Sequence, residues 1–308
     1  MQHSIGGINL KKRIKIKKTR AETVFDAVNF VFLVGFSLLA AYPLWFCLVN
    51  SLNDGMDAMK GGIYLWPREF SLENYSVVFQ DSSIMRAMGV SVARVLIGTP
   101  LHVLITAMVA YPLSKGNLIG KKFYMTLGTV TMFFSGGLIP TFLNMRNLGL
   151  YDSFWVFILP SIFSFYDCLI FISFFKGLPN SVEEAAMIDG AGTFRIFFRI
   201  VLPLSLPVIA TIALFSAVGH WNDYFSGVIY VRSEELIPIQ TYLYRVIAQS
   251  GGANMIEKAQ MGVTNGTAVL TQSLRYATMV VSILPIICTY PFLQKYFVKG
   301  IALGAVKG

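Results

Sequence analysis

Charge is scarce in this sequence. Only 13% of its 308 residues are Asp, Glu, Lys or Arg, while 55% are hydrophobic. Water-soluble domains carry about a quarter charged residues, so this balance excludes an ordinary soluble globule and points to a membrane. Histidine is scarcer still: His3, His102 and His220 lie far apart and leave no metal-ligand spacing. The three cysteines, Cys47, Cys168 and Cys288, each fall inside an apolar run and read as packed thiols rather than disulfides or ligands. No nucleophile-elbow pattern occurs. The stretch "GNLIGKK" at 116–122 sets its glycines one residue too close for a phosphate loop, and Lys122 stands where Ser or Thr would hold magnesium. It reads as a basic turn. No catalytic residue, metal or directly bound cofactor is expected, and if ATP and magnesium are used at all they must sit on another chain. A cleavable signal peptide is not expected either, because the first apolar run is too long and no small-residue cleavage site follows it.

What is present is length without charge. Six apolar stretches, near 24–50, 87–113, 123–143, 154–175, 201–222 and 277–298, can each cross a hydrocarbon core, which needs roughly 20 helical residues. Their internal prolines are tolerable where neighbouring helices satisfy the freed carbonyls. The net charge of +9 is concentrated. Seven Lys/Arg crowd "KKRIKIKKTR" at 11–20, and with six spans the segments on that side hold sixteen against eight on the other. The positive-inside rule then places both termini of a multi-pass membrane protein in the cytoplasm. The basic run is a topology and lipid-headgroup anchor, not a nucleic-acid arm. The organisation expected is a basic cytoplasmic segment, 1–23, and one all-α transmembrane domain of six helices, 24–308.

The outer loops are uneven. Residues 51–86 suggest a compact loop with a short amphipathic helix around 73–80, and residues 223–276 are rich enough in aromatics and aliphatics to contact a partner. Polar residues within spans are costly and each asks for a reason. Arg94 and His102 lie eight apart on the second span and so share a face, Asp167 is in the fourth, and "GHWNDYF" sets His220, Trp221, Asn222, Asp223 and Tyr224 at the outer end of the fifth. Two readings stay open: interhelical pairing such as Arg94 with an Asp, or a polar pathway in which Trp221 and Tyr224 stack on a sugar ring while Asn222 bonds its hydroxyls.

Between the fourth and fifth spans lies "NSVEEAAMIDGAGTFRIFFRIVLP", residues 180–203. It reads as helix–turn–helix: Ser181 as N-cap with Glu184 closing a capping box, a helix over about 182–190, Gly190 as its stop, and Thr193 capping a second helix. A helix this short is not stable alone in water, so something must bury part of it.

The order Glu184-Ala185-Ala186, three residues, Gly190, nine residues, then Ile200-x-Leu202-Pro203 resembles the signature of the permease subunits of binding-protein-dependent ABC importers. "YPLWFCLVNSLN", "GGLIPTFLNMRNLGL", "ALFSAVGHWNDYF" and the tail "QKYFVKGIALGAVKG" extend the likeness to the carbohydrate branch related to the maltose permease subunits. Overall likeness is to permeases for complex or acidic oligosaccharides, the alginate importer's second permease subunit among them. The resemblance implies a type I importer permease fold with the loop at 182–190 as a coupling helix. It implies a second homologous permease subunit, two ATPase subunits below and a periplasmic solute-binding protein above. Glu184, Ala185, Ala186, Asp189, Gly190, Ile200, Leu202 and Pro203 would then be the ATPase-coupling residues, with Glu184 facing a basic ATPase residue. Arg94, with Arg86 nearby, favours a carboxylated saccharide. The rival readings are an importer of a non-sugar solute, an ion-coupled secondary transporter, for which no inverted repeat is found, and a membrane enzyme, for which no reactive constellation is found.

Overall fold

The computed structural model describes residues 19–58, 60–248 and 275–289. The N-terminal basic run, the tail and most of the last outer loop lie outside them. The chain divides into two units, Met1–Phe46 and Cys47–Gly308. The first is carried by α1 (Arg20–Ser51), which runs on into the second.

Among the described residues the structure is helical, with one isolated antiparallel bridge, Asn53 to Phe70. Of the helices in the described residues, two are long and apolar enough to cross a membrane unbroken: α1, and α4 (Ser82–Ser114, 33 residues). The short α2 (Gly55–Ala58) and α3 (Glu73–Gln80) lie between them, α3 matching the amphipathic helix expected at 73–80.

The next three expected spans are broken rather than continuous. The third is α5 (Lys121–Phe133) and α6 (Leu138–Asn147), bent by 115°. Gly136 and Gly137 make that break, Gly137 at φ +84°, a conformation an L side chain rarely adopts. The fourth is a pair of 3₁₀ turns, Phe154–Phe157 and Leu159–Ser161, followed by α7 (Phe165–Lys176) at 48°. Ser164 caps α7 by accepting from the Asp167 amide.

After α7 come α8 (Asn180–Ile188), α9 (Thr193–Ile196), one wide π turn over Phe197–Val201, α10 (Leu202–Leu204) and α11 (Leu206–Asn222). The fifth span therefore bends by 81°. Pro203 explains the wide turn: a proline lacks the amide and crowds the carbonyl four residues back, and an i→i+5 turn relieves both. The helices α12 (Phe225–Tyr230), α13 (Ile239–Ala248) and α14 (Arg275–Thr289) complete the described chain, α14 being the start of the expected sixth span.

The main core of the second unit joins α4, α7, the π turn and α11 through Ala107, Tyr111, Phe171, Phe175, Phe197 and Ile212. Close approach depends on glycine: a Cβ at Gly98 on α4 would stand 2.5 Å from His220 Nε2 on α11. Among the described residues Cys168 is buried, Cys47 half-buried and Cys288 exposed, all as free thiols.

Candidate functional site

A cavity of about 420 Å³ opens between α4, the turns before α7, and α11. Arg94, His102, Asp167, His220 and Asp223 all line it, so the structure brings together polar residues that the sequence scatters over three spans. Arg94 is 1% exposed; its Nη2 donates to Asp223 Oδ2 at 2.6 Å and its Nη1 to the Asp223 carbonyl at 3.0 Å. Its guanidinium carbon lies 4.4 Å from the centre of the Phe157 ring, and its Nε has no hydrogen-bond partner among the described residues. A buried arginine is costly unless paired, and this one is paired twice by a single residue.

His102 faces two acceptors. Nδ1 is 2.8 Å from the Ser161 carbonyl and Nε2 is 3.0 Å from Asp167 Oδ2. A carbonyl only accepts, so Nδ1 carries a hydrogen, and the Nε2–Asp167 contact needs a second proton on one of the two groups. The cavity wall thus holds two internally compensated pairs, Arg94–Asp223 and His102–Asp167, and not an open positive charge. Of the two sequence readings, interhelical pairing accounts for these four residues.

The remaining pathway candidates separate. Trp221 is buried and points away from the cavity: its Nε1 donates to the Ser282 carbonyl of α14 at 3.0 Å, and its ring packs with Val78, Ile84 and Ile239. It does not form a sugar platform with Tyr224. Tyr224 instead stacks on Tyr244, ring centres 4.9 Å apart, while its carbonyl accepts from Thr241 Oγ1. Asn222 is exposed at the end of α11, and Arg86 is exposed outside the cavity.

The second candidate region is the loop holding α8. The helix begins at Asn180 with Pro179 as its N-cap, and no side chain caps it. Ser181 and Glu184 therefore form no capping box; Ser181 lies one residue inside the helix, where its hydroxyl cannot reach the orphan amides. Thr193 is likewise the first residue of α9, and Gly192 stands at the cap. The C-terminal reading holds. Gly190 takes φ +77°, its amide donates to Met187 O and the Ala191 amide to Ala186 O, closing a Schellman turn after the Asp189 C-cap.

Glu184, Ala185 and Asp189 are exposed, as are Met187 and Ile188, while Ala186 packs partly against the core. Ile200 lies in the π turn, and Leu202 and Pro203 in α10, so the Ile-x-Leu-Pro segment shapes the wide turn beneath α11. What sequence reasoning missed is Glu183. It is the buried residue of α8, gripped by Lys115 Nζ at 2.5 and 2.6 Å and by Tyr111 OH at 2.9 Å. The available signal was the "YPLSK" end of the second span, an aromatic and a lysine one turn apart at a membrane boundary.

Residues 80–303 match the family model described as the binding-protein-dependent transport system inner membrane component. The chain is 39% identical over 285 residues to the polygalacturonan/rhamnogalacturonan transport system permease protein YtcP of Bacillus subtilis (strain 168), covering 92% of this chain and 99% of that one. It is 37% identical over 295 residues to Protein LplC of the same organism, covering 94% and 97%. Among solved structures it matches a chain of the crystal structure of a bacterial ABC transporter involved in the import of the acidic polysaccharide alginate. The TM-score is 0.83 at 30% identity, over 92% of this chain and all of that one. With an all-helical multi-pass architecture and a match across most of its length, the chain belongs to the family of inner-membrane permease components of binding-protein-dependent ABC importers.

Proposed function

We propose that this chain is one transmembrane subunit of an ATP-driven importer that carries an oligosaccharide, and specifically a carboxylated one, from a periplasmic binding protein to the cytoplasm. In this reading both termini are cytoplasmic. α8 is the coupling helix, seated through its exposed Glu184, Met187 and Ile188 in a cleft of one of two ATPase subunits. A second homologous permease subunit completes the pathway. ATP and magnesium act on the ATPase, whose closure biases the bundle between inward- and outward-facing states.

The observation that carries the reading is the two-faced character of α8. A nine-residue helix is too short to be stable by itself, yet only Glu183 is buried, while Ile188 is 86% exposed beside a glycine turn that leaves the outer face clear. Such a helix is rooted on one side and offered on the other. For the cargo, support comes from the polygalacturonan/rhamnogalacturonan permease and the alginate transporter among its relatives. The cavity adds a constraint: Arg94 is already answered by Asp223, so a substrate carboxylate passing here must compete with Asp223 for it. Hydroxyl-rich cargo suits the serines and compensated pairs of the wall.

The test is purification of the tagged chain from its own host in gentle detergent, followed by uptake with galacturonate and neutral oligosaccharides. A P-loop ATPase at twice the abundance of this chain and a second permease are expected, with uptake favouring the acidic oligomer. Gly190→Trp should keep insertion and lose the ATPase, since φ +77° opposes any L side chain and a large one would protrude from the offered face. Normal association in that variant sinks the coupling-helix assignment.

A further inference from the structure

We propose that Glu183, held by Lys115 and Tyr111, is the tension-bearing joint through which α8 drives α4, which makes it a positioning residue of the transport cycle. This rests on α8 being the coupling helix, and it assigns to Glu183 a role different from that of Glu184 beside it.

The argument begins with which forces each contact transmits. α8 meets the body of the protein in two ways. Ala186 and Ala191 lie against the apolar core around Tyr111, Phe175 and Phe197. Apolar packing of this kind resists compression well, but it is non-directional and resists sliding and withdrawal poorly. The other contact is Glu183, 8% exposed, with both carboxylate oxygens on Lys115 Nζ and one also accepting from Tyr111 OH. Charge-assisted hydrogen bonds are directional and about twice as strong as neutral ones, so this tether carries pull and shear.

The far side of the joint is itself fixed. Lys115 Nζ sits 4.9 Å from the centre of the Tyr111 ring, and Lys121 Nζ donates to the Lys115 carbonyl at 2.7 Å. Tyr111 packs edge-on to Phe175. What is pulled is α4, a single helix through Pro100 and Pro112 to Ser114. At 1.5 Å per residue, His102 lies about 13 Å and Arg94 about 26 Å along it from Tyr111. Their partners Asp167 and Asp223 belong to other segments, so a shift of α4 along its axis shears both cavity pairs together.

The experiment uses the complete importer in lipid nanodiscs, with substrate transport and ATP hydrolysis measured on the same preparation. Glu183→Ala is expected to keep the ATPase subunits bound and hydrolysing while transport per ATP falls roughly tenfold, within the range for a mutation along a coupled network. Glu183→Gln and Tyr111→Phe, which keep most of the packing, should fall partway. The exchange Glu183→Lys with Lys115→Glu should recover much of the loss, which ties that loss to the ion pair and not to the packing of either side chain. Wild-type transport per ATP in Glu183→Ala overturns the joint and leaves the coupling-helix reading intact. Loss of the ATPase from Glu183→Ala and Glu183→Gln also overturns it, by making Glu183 a docking residue. If Glu183→Ala fails to assemble, a normal ratio in both milder variants overturns the joint, and a reduced ratio rescued by the exchange supports it. Retained association in Gly190→Trp is the separate result that removes the coupling-helix reading itself.

Discussion

Asp57 and Glu183 are both buried acids in loops, one before the start of α4 and the other beyond its end, and they differ in how far their partners reach. Asp57 accepts from Asn53 at 3.0 Å and Arg68 at 2.9 Å, with Lys60 at 3.4 Å, all within the same loop. Arg68 also donates to the Asp57 and Gly61 carbonyls, and Asn53 accepts from the Glu69 amide. Asn74 then ties α3 back to the Ser51 and Asn53 carbonyls. The result is a loop folded on itself. Glu183 has no such local knot; its partners stand about 70 residues away on another helix. A carboxylate answered locally makes a platform, and one answered at long range makes a linkage. Asp223 combines the two, accepting locally from the Ser226 amide at 3.0 Å and at long range from Arg94, 129 residues away.

The sharpest way to break this contrast is at Asp223. Asp223→Ala leaves the buried Arg94 with the residue 223 carbonyl but without its countercharge, and removing one member of a buried pair costs about 3–5 kcal/mol. The expected outcome is a marked fall in thermal stability of the purified chain, relieved in the double variant with Arg94→Met, which removes the stranded charge. A double variant as unstable as Asp223→Ala would show that the pair is not what the single substitution breaks.

Next in size is Asp57. Asp57→Ala should expose residues 51–80 to limited proteolysis while leaving transport per ATP unchanged, the converse of Glu183→Ala. The same loop should respond to acid. Hydrogen bonding from Asn53, joined by Arg68 and Lys60, holds the Asp57 carboxyl below the usual carboxylate range. A carboxyl depressed in the folded state contributes stability above its unfolded value, near 3.9, and loses it as pH falls through the lower folded value. Protection of the loop should therefore persist from neutrality to about pH 4 and fail below it. Loss already at pH 6 would contradict the Asp57 knot.

How much of this was legible in the sequence follows the same division. Hydropathy located five apolar stretches and the start of a sixth among the described residues, because burial in lipid acts on every residue of a run. It did not locate the bends at Gly136–Gly137, Ser164 and Ser205, since a broken span and a straight one bury similar surface. Gly190 was readable because a left-handed turn leaves few alternatives to glycine. Ser181 was misread because the helix begins one residue before it, at Asn180 after the Pro179 N-cap, which puts the Ser181 hydroxyl inside the first turn. Glu183 was invisible for a different reason: adjacent Glu183 and Glu184 are chemically identical, and only the placement of Tyr111 and Lys115 sends one inward. Trp221 misled in the same way, because an aromatic beside polar residues looks the same whether it faces a cavity or a neighbouring helix.

That last ambiguity yields the smallest effect expected. Trp221→Phe keeps an aromatic face but removes the donor to the Ser282 carbonyl. If Trp221 joins α11 to α14, the loss should be about 1 kcal/mol of stability, the net worth of one hydrogen bond. The substrate concentration for half-maximal uptake should not move, because the ring does not line the cavity. An indole that stacked on sugar would behave in the opposite way, with stability kept and the half-saturating concentration raised. The two measurements on one variant thus separate a residue that links helices from one that touches cargo, the same distinction that divides Asp57 from Glu183, at the scale of a single hydrogen bond.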